Sequence, residues 1–171
     1  MEFLHITSPE DPRADEIYER YVASFPEDER RSREQFLKLF SKPSAKIFTV
    51  LKNFENIGYL IAWELSNFVF LEHFEIYSEF RSQKFGSEVI KNLFHDYSKI
   101  ILEAEPETLD DNAARRIAFY QRNGFNTVDE DYTQPAYAQD KNAVKLWLMA
   151  NYHPENLNNI KEEIYDVVYC H

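Results

Sequence analysis

The chain has 171 residues, of which 44% are hydrophobic and 16% aromatic, a composition typical of one packed globular domain rather than of a disordered segment. Its formal net charge of −11 repels phosphate backbones, and its apolar runs, such as IGYLIAW, are far shorter than a membrane span, so we expect neither a nucleic-acid nor a membrane partner. The single cysteine, Cys170, excludes an internal disulfide, and the first residues lack the pattern of a signal peptide, which together predict a reduced, cytoplasmic setting.

The first half of the chain predicts one strand, two helices and then three strands. The segment EFLHITS reads as a short strand, and ADEIYERYVASF as a helix with an apolar face. Ser32, with Gln35 three residues later, has the capping-box pattern that opens a second helix. Three β-branched, apolar runs follow, which predict an antiparallel meander: AKIFTVLK, IGYLIAWEL and NFVFLEHFEIY.

The second half alternates helices and strands. A helix from about Phe85 to Tyr97 precedes the strand KIILEAE, so residues 69–105 form a strand–helix–strand unit whose two strands should be parallel. A helix with acidic residues at its start and Gly124 after its end comes next, followed by two closing strands and the helix NLNNIKEEIYDVVY. The order predicts an α/β (mixed α+β) fold: one domain over residues 1–171, with a central mixed sheet of about six to seven strands, helices on both faces and a C-terminal helix.

The junction between the third meander strand and the next helix predicts a ligand site. Ligands in such sheets bind beyond the carboxyl ends of parallel strands, and a helix start offers unpaired N–H groups that suit a phosphate. Gly86, one of only three glycines, lies at this helix start, where the absence of a Cβ lets a ligand approach the backbone. Arg81, Ser82, Gln83 and Lys84 add donors and positive charge.

Two segments carry a resemblance to a known family. RSQKFGS resembles the Q/R-x-x-G-x-G/A loop of the GNAT superfamily of N-acetyltransferases, with Arg81 first and Gly86 at the last glycine. RIAFYQRNGF resembles the A-x-x-[FL]-Y-x-x-x-G-F segment of the same family at Ala118 through Phe125, shifted by one residue at its start. The strand order is similar over roughly residues 1–150, and the helix at about 154–169 lies outside the shared core.

The resemblance implies acetyl-coenzyme A as the donor. It implies that the diphosphate rests on the loop and that the pantetheine arm pairs with the end of the preceding strand. The coenzyme residues expected on this basis are Phe74, Glu75, Ile76, Arg81, Ser82, Gln83, Lys84, Phe85, Gly86 and Ser87. Lys84 departs from the family pattern, because it stands where many members have the first glycine of the loop.

Tyr120 and Glu72 are the expected catalytic residues. Tyr120 matches the general acid of the family, which protonates the leaving thiolate. An alkylammonium must lose a proton before it attacks, and Glu72, on the strand that leads to the loop, is the candidate base. Strict alternation would place Glu72 and Phe74 on one face of the strand and His73 and Glu75 on the other, and these last two are the alternative bases.

The acceptor site is predicted from two loops that wall it in the family. FPEDERR contributes Glu27, Asp28 and Glu29, whose charges would neutralise a cationic acceptor, and DYTQPAY contributes Tyr132 and Tyr137 for stacking or hydrogen bonding. The five histidines are scattered without ligand spacing, so no metal is expected.

Three functions remain open from the sequence. The first is an N-acetyltransferase that acts on a primary amine of a small molecule or a protein, as a monomer or homodimer. The second is a catalytically silent coenzyme A-binding GNAT-fold module that regulates a partner. The third is an unrelated nucleotide-binding α/β protein, but KFGS lacks the phosphate-binding lysine followed directly by Ser or Thr. Retention of Tyr120 favours the first.

Overall fold

The structure, a computed structural model, describes residues 1–170. Seven of its nine strands form one sheet, and the other two form a small hairpin. The strands are β1 (Glu2–Ile6), β2 (Ala45–Lys52), β3 (Glu55–Glu64), β4 (Val69–Ile76), β5 (Ile100–Ala104), β6 (Asn126–Asp129), β7 (Thr133–Gln134), β8 (Val144–Lys145) and β9 (Trp147–Ala150).

Five α-helices connect these strands, and the predicted helix order is confirmed. They are α1 (Pro12–Ser24), α2 (Arg33–Lys38), α3 (Phe85–Asp96), α4 (Asp111–Arg122) and α5 (Leu157–Ile164). A 3₁₀ turn at Glu27–Glu29 lies between α1 and α2, and α5 continues into a π-helical turn, Tyr165–Tyr169.

The large sheet has the order β1-β2-β3-β4-β5-β9-β6. The predicted meander is confirmed, since β2, β3 and β4 pair antiparallel. The predicted strand–helix–strand unit is confirmed as well, since β4 and β5 pair in parallel. The fold is therefore the predicted mixed sheet with seven strands and an additional C-terminal helix.

Helices cover both faces of the sheet. On one face, α1, α2 and α5 bury residues such as Tyr21, Phe36 and Ile164 against the inward side chains of β2, β3 and β4. On the other face, α3 and α4 bury residues such as Leu93 and Ile117. Burial of apolar area at about 25 cal/mol per Å² is the main term that stabilises these two layers.

Local signals in the sequence explain where the helices begin and end. Ser32 and Gln35 form the predicted reciprocal capping box of α2. The Asp110 carboxylate accepts from two backbone N–H groups at the start of α4, and Gly124, at φ +92°, follows its end. Among the described residues, no helix is both long and apolar enough to cross a bilayer.

Candidate active site

The site begins where two parallel strands separate. Strands β4 and β5 pair only from Val69 with Ile100 to Leu71 with Leu102. Beyond Leu71, β4 pairs with β3 alone, while the end of β5 pairs with β9, so one edge of β4 has no strand partner. A cleft of about 950 Å³ opens at this point, and it is lined by residues of both strands and of α3 and α4. An unpaired strand edge can accept an extended, amide-bearing ligand.

The loop before α3 forms one end of the cleft. Ser82 and Lys84 both have left-handed backbones, with φ of 63° and 65°. Lys84 occupies the N-cap position, and no side chain caps the first N–H groups of α3, so these donors are free for a ligand. The backbone angle explains why glycine suits the position of Lys84, since left-handed geometry costs a residue with a Cβ about 1 kcal/mol.

Most residues expected to hold the coenzyme line this cleft. They are Phe74, Glu75, Ile76, Arg81, Ser82, Lys84, Phe85, Gly86 and Ser87. Gln83 does not line it, and its amide lies 3.5 Å from the carbonyl oxygen of Glu79. The loop also carries the positive charges of Arg81 and Lys84, which, together with free N–H groups, fit a diphosphate. The coenzyme role of these ten residues stays a prediction.

Close packing against Phe119 gives a second reason for a glycine at position 86, besides the approach of a ligand. A Cβ built on Gly86 would lie 3.1 Å from Cζ and 3.3 Å from Cε2 of Phe119, a residue of α4 that also lines the cleft. The scarce glycine therefore lets the start of α3 pack tightly against the Phe119 ring, and any larger residue would push this ring toward the cleft.

Glu72 lies in an irregularity of β4. Ile61 pairs with His73 and Ala62 pairs with Leu71, which leaves Glu72 as an extra residue in a β-bulge. The strict alternation predicted for this strand is therefore wrong at Glu72, because the bulge turns Glu72 and His73 toward the same side, where both meet Tyr137.

The Glu72 carboxylate is buried and fully engaged. Its side chain is 0% exposed, and Oε1 accepts from Arg31 Nη2 at 2.8 Å and from the Tyr137 hydroxyl at 2.7 Å. Oε2 accepts from Trp63 Nε1 at 2.7 Å. Burial alone would raise the pKa of Glu72, but the Arg31 charge and these donors together hold this pKa below its ordinary value. Such a carboxylate is a weak proton acceptor.

The two alternative bases also lie in constrained surroundings. Burial lowers the pKa of His73 to about 4, and its Nε2 lies 3.2 Å from the Tyr21 hydroxyl. The Glu75 carboxylate accepts from Ser24 Oγ at 2.6 Å and from Arg81 Nη2 at 3.1 Å, so it ties α1 to the loop before α3.

Tyr120 lines the cleft from α4, as its predicted role requires. Its ring packs edge-on against Phe119 and Phe125 at 5.3 and 5.7 Å between centroids. Burial raises the pKa of Tyr120 to about 12, so its hydroxyl stays protonated at neutral pH and can donate a proton only at a developing anion. Its assignment as the acid stays a prediction.

The sequence interpretation missed Glu103, which lies opposite Glu72 on β5. Glu103 lines the cleft and accepts from the Tyr169 hydroxyl through Oε1, while Oε2 is buried with no hydrogen-bond partner among residues 1–170. Burial, reinforced by the charges of Glu72 and Glu29, raises the pKa of Glu103 to about 8 against the opposing effect of Tyr169. The available signal was a glutamate inside the apolar strand KIILEAE.

Glu29 is the one predicted acceptor residue that lines the cleft. Burial and the nearby charge of Glu105 raise the pKa of Glu29 to about 7. Glu105 also lines the cleft and forms an ion pair with Arg116. Carboxylates and Arg116 thus occur together in this part of the cleft, while Arg81 and Lys84 add positive charge at the α3 loop.

The other predicted acceptor residues lie outside the cleft lining. Asp28 accepts from the backbone N–H and the side-chain amide of Asn142 at 2.9 and 3.0 Å, and Glu27 accepts from Lys141 through its carbonyl oxygen. Tyr132 and Tyr137 are 1% and 0% exposed, packed behind the cleft. Tyr137 reaches the site through its hydroxyl, which donates to Glu72 and lies 3.4 Å from His73 Nε2.

The region offers no metal site. No group of three or more His, Cys, Asp or Glu side chains suited to a metal ion occurs among residues 1–170. The arrangement instead combines free backbone donors, a phenol and partly neutralised carboxyls. These groups can bind an anionic ligand at one end and can move a proton at the other.

Comparison with known proteins agrees with this geometry. The family model "Acetyltransferase (GNAT) family" matches residues 14–125. The acetyltransferase-like protein YjbC of Bacillus subtilis strain 168 is 29% identical over 109 residues, which is 63% of this chain and 55% of that protein, so the match spans about half of the relative.

Solved structures show the same fold. A GNAT-family protein from Bacteroides thetaiotaomicron superposes with a TM-score of 0.91 at 26% identity, over 99% of this chain and 98% of that one. The ribosomal-protein-S18-alanine N-acetyltransferase of Escherichia coli gives a TM-score of 0.60 at 19% identity, over 91% and 97%. A Bacillus subtilis acetyltransferase solved with coenzyme A gives a TM-score of 0.59 at 12% identity, over 87% of this chain and 97% of that one. The matched segment contains the separating strands, the α3 loop and Tyr120, and the chain belongs to the GNAT family of acetyltransferases.

Proposed function

We propose that this protein is an N-acetyltransferase, which moves the acetyl group of acetyl-coenzyme A to a primary amine of a small molecule or a protein by direct attack. One observation carries the proposal: the cleft at the β4–β5 separation is lined at once by the donor-rich start of α3, by the Tyr120 phenol and by the Glu103 carboxyl. An anion site, a proton donor and a proton acceptor are the groups that this reaction needs.

In this proposal acetyl-coenzyme A is the donor, and its diphosphate rests on the N–H groups from Lys84 to Ser87. The pantetheine arm extends along the unpaired edge of β4 from Phe74 to Ile76. Family membership supports this placement, and so does the free edge of β4, because its outward backbone groups have no strand partner beyond Leu71.

The acceptor must lose a proton during the reaction. An alkylammonium of pKa about 10.4 is neutral in roughly one part in 10³ at pH 7.4, which costs about 4 kcal/mol. Glu103, whose pKa is raised to about 8, is better matched to accept this proton than Glu72, whose carboxylate already has an ion pair and two further donors. Glu72 remains the sequence-based candidate, and its environment favours a role in holding the site together.

Acetyl transfer makes one bond, breaks another and moves two protons. The amine nitrogen forms a bond to the thioester carbonyl carbon, the carbon–sulfur bond breaks, and the sulfur leaves with the electron pair. Glu103 takes the proton from the amine, and Tyr120 gives its proton to the sulfur. A phenol whose pKa is raised to about 12 is a weak acid, so its contribution should be moderate.

A cationic amine is the acceptor class that fits the cleft best. Glu29, Glu103 and Glu105 line the cleft, and burial together with neighbouring carboxylates raises the pKa values of the first two to about 7 and 8. An approaching ammonium would add positive charge that favours their ionised forms. The net charge of −11 would also attract such a substrate over long range.

A panel of amines tests the proposal directly. Release of free thiol from acetyl-coenzyme A is measured against cationic, neutral and anionic primary amines and lysine-containing peptides, with acetyl-coenzyme A binding followed by calorimetry. We expect turnover with a cationic amine, and an apparent KM that rises with salt, because exposed charges are screened over about 8 Å at physiological ionic strength. Tight coenzyme binding without turnover on any amine would instead indicate the silent, regulatory module.

A further inference from the structure

The C-terminal segment, defined as residues 157–169, contacts Glu103 directly and reaches Glu72 through Arg31. The Tyr169 hydroxyl donates to Glu103, and the carbonyl oxygen of Val168 accepts from Arg31 Nη2 at 2.8 Å. The same Arg31 nitrogen donates to Glu72. Val168 and Tyr169 are only 2% and 4% exposed. A segment outside the 14–125 family match therefore supplies a direct partner to Glu103 and a second acceptor to the arginine that pairs with Glu72.

The body of the protein holds this segment at several points. Tyr165 donates to the carbonyl oxygen of Thr133 at 2.9 Å, and its ring stacks on Tyr132 with 5.7 Å between centroids. Lys161 pairs with Asp129 at 2.8 Å. These contacts fix the π-helical turn, a helix type that occurs mostly as single turns and frequently at functional sites. These contacts hold the turn that places the Tyr169 hydroxyl against Glu103.

We infer that Tyr169 is a positioning residue for Glu103 and that the C-terminal segment is thereby part of the acetyl-transfer site. This inference rests on the proposed function. The hydroxyl occupies Oε1 and so orients the carboxyl group, which leaves Oε2 as a buried acceptor with no partner among residues 1–170. A buried acceptor without a donor costs about 1–3 kcal/mol, and the N–H of a bound amine is a donor of the kind it lacks.

Several groups from different elements set the protonation of Glu103. Burial, Glu72 on β4 and Glu29 in the 3₁₀ turn oppose its ionisation. The Tyr169 hydroxyl, which donates to it, and the nearby Tyr132 hydroxyl, which forms no hydrogen bond among residues 1–170, favour it. Removing the Tyr169 hydroxyl takes away one favourable partner of the carboxylate. The pKa of Glu103 should then rise further, so the base becomes active only at higher pH.

The test compares Tyr169→Phe with Tyr165→Phe. Each change removes one hydroxyl from the same segment and keeps the ring, but only Tyr169 contacts Glu103. The experiment measures kcat/KM for one fixed amine against pH, and the acid limb is the part of this profile in which the rate rises as Glu103 loses its proton. Tyr169→Phe should shift the acid limb to higher pH by about one unit and lower the rate about tenfold below pH 7. KM for acetyl-coenzyme A should stay within twofold. Tyr165→Phe should leave the limb in place.

A double variant distinguishes a positioning role of Tyr169 from a general effect on the stability of the fold. Adding Tyr169→Phe to Glu103→Gln should cause no further loss of kcat, because the group that Tyr169 orients is already gone. Equal losses in both tyrosine variants without a shift of the limb, or additive losses in the double variant, would overturn the inference. Wild-type turnover and an unchanged acid limb in Glu103→Gln would also overturn it, while acetylation of the amine would still uphold the proposed function.

Discussion

Two glutamates on neighbouring strands have opposite pKa shifts because their surroundings differ. Glu72 on β4 has a cation at 2.8 Å and two further donors, and its pKa lies below the ordinary value. Glu103 on β5 has no cationic partner in the structure, lies near two other carboxyl groups and has a pKa of about 8. A buried carboxylate with complete partners stabilises a fold, whereas one that lacks them is available for proton transfer.

The largest expected effect comes from breaking the Glu72 network. Glu72→Gln leaves the buried Arg31 charge without its partner, and we expect a loss of about 3–5 kcal/mol in the free energy of unfolding, measured with denaturant. Glu103→Gln is the matched control and should lose no stability at pH 7, because the folded protein already prefers a neutral group there. Equal losses in the two variants would remove the distinction between them.

The next effect concerns Tyr120, the proposed proton donor. Tyr120→Phe removes one oxygen and keeps the packed ring, so kcat should fall about 10²-fold, or some 2.7 kcal/mol, with acetyl-coenzyme A affinity within a few-fold of wild type. Phe119→Leu serves as a packing control on the same helix. If kcat in Tyr120→Phe stays within threefold, the hydroxyl is not the acid, and water protonates the sulfur.

A smaller effect is expected from removing one donor of the Glu72 network. Tyr137→Phe takes away the 2.7 Å hydrogen bond to Oε1 and leaves the Arg31 pair intact, so we expect about 1.5–3 kcal/mol of lost stability. Thermal or denaturant unfolding measures this loss. Because the carboxylate keeps its cation, the acid limb of the rate profile should not move, which contrasts with the expectation for Tyr169→Phe. If the acid limb shifts in Tyr137→Phe, Glu72 is the base.

The last expected effect is a slope in stability against pH, which is small per pH unit. The folded pKa of Glu103 is raised to about 8, above an unfolded value near 4.5, so the folded state holds a proton that the unfolded state releases. Stability from this group is therefore full below about pH 4.5 and is lost as pH rises toward 8, by at most about 1.4 kcal/mol per unit. Unfolding curves of wild type and Glu103→Gln between pH 5 and 8 should diverge in this direction, and parallel curves would contradict the raised pKa.

The sequence predicted the architecture well because its signals are local. Hydrophobic periodicity, the Ser32 capping box, the Asp110 cap and Gly124 all act within a few residues, and each one is confirmed in the structure. The order of elements then predicted the parallel pair β4 and β5, and the structure shows that this pair separates beyond Leu71.

The site was less predictable because its properties depend on distant partners. The bulge at Glu72 arises from the pairing of β3 with β4, and no local pattern marks it. Glu103 gains its raised pKa from burial and from Glu72 and Glu29, which are far away in sequence. Gly86 was interpreted through its ligand, but its close contact with Phe119 of α4 is visible only in three dimensions.

The contact between Arg31 and the carbonyl oxygen of Val168 has a consequence for biosynthesis. It joins positions 137 residues apart, and through Glu72 it reaches the strand that borders the cleft. Chains emerge from the ribosome N-terminus first, and domains fold as units during synthesis. The strands and the α3 loop are synthesised first, and the cluster around the two glutamates is complete only once residues 168 and 169 have been added. If the proposed function holds, a nascent chain shorter than 168 residues therefore lacks part of the cluster that would receive the proton of the amine.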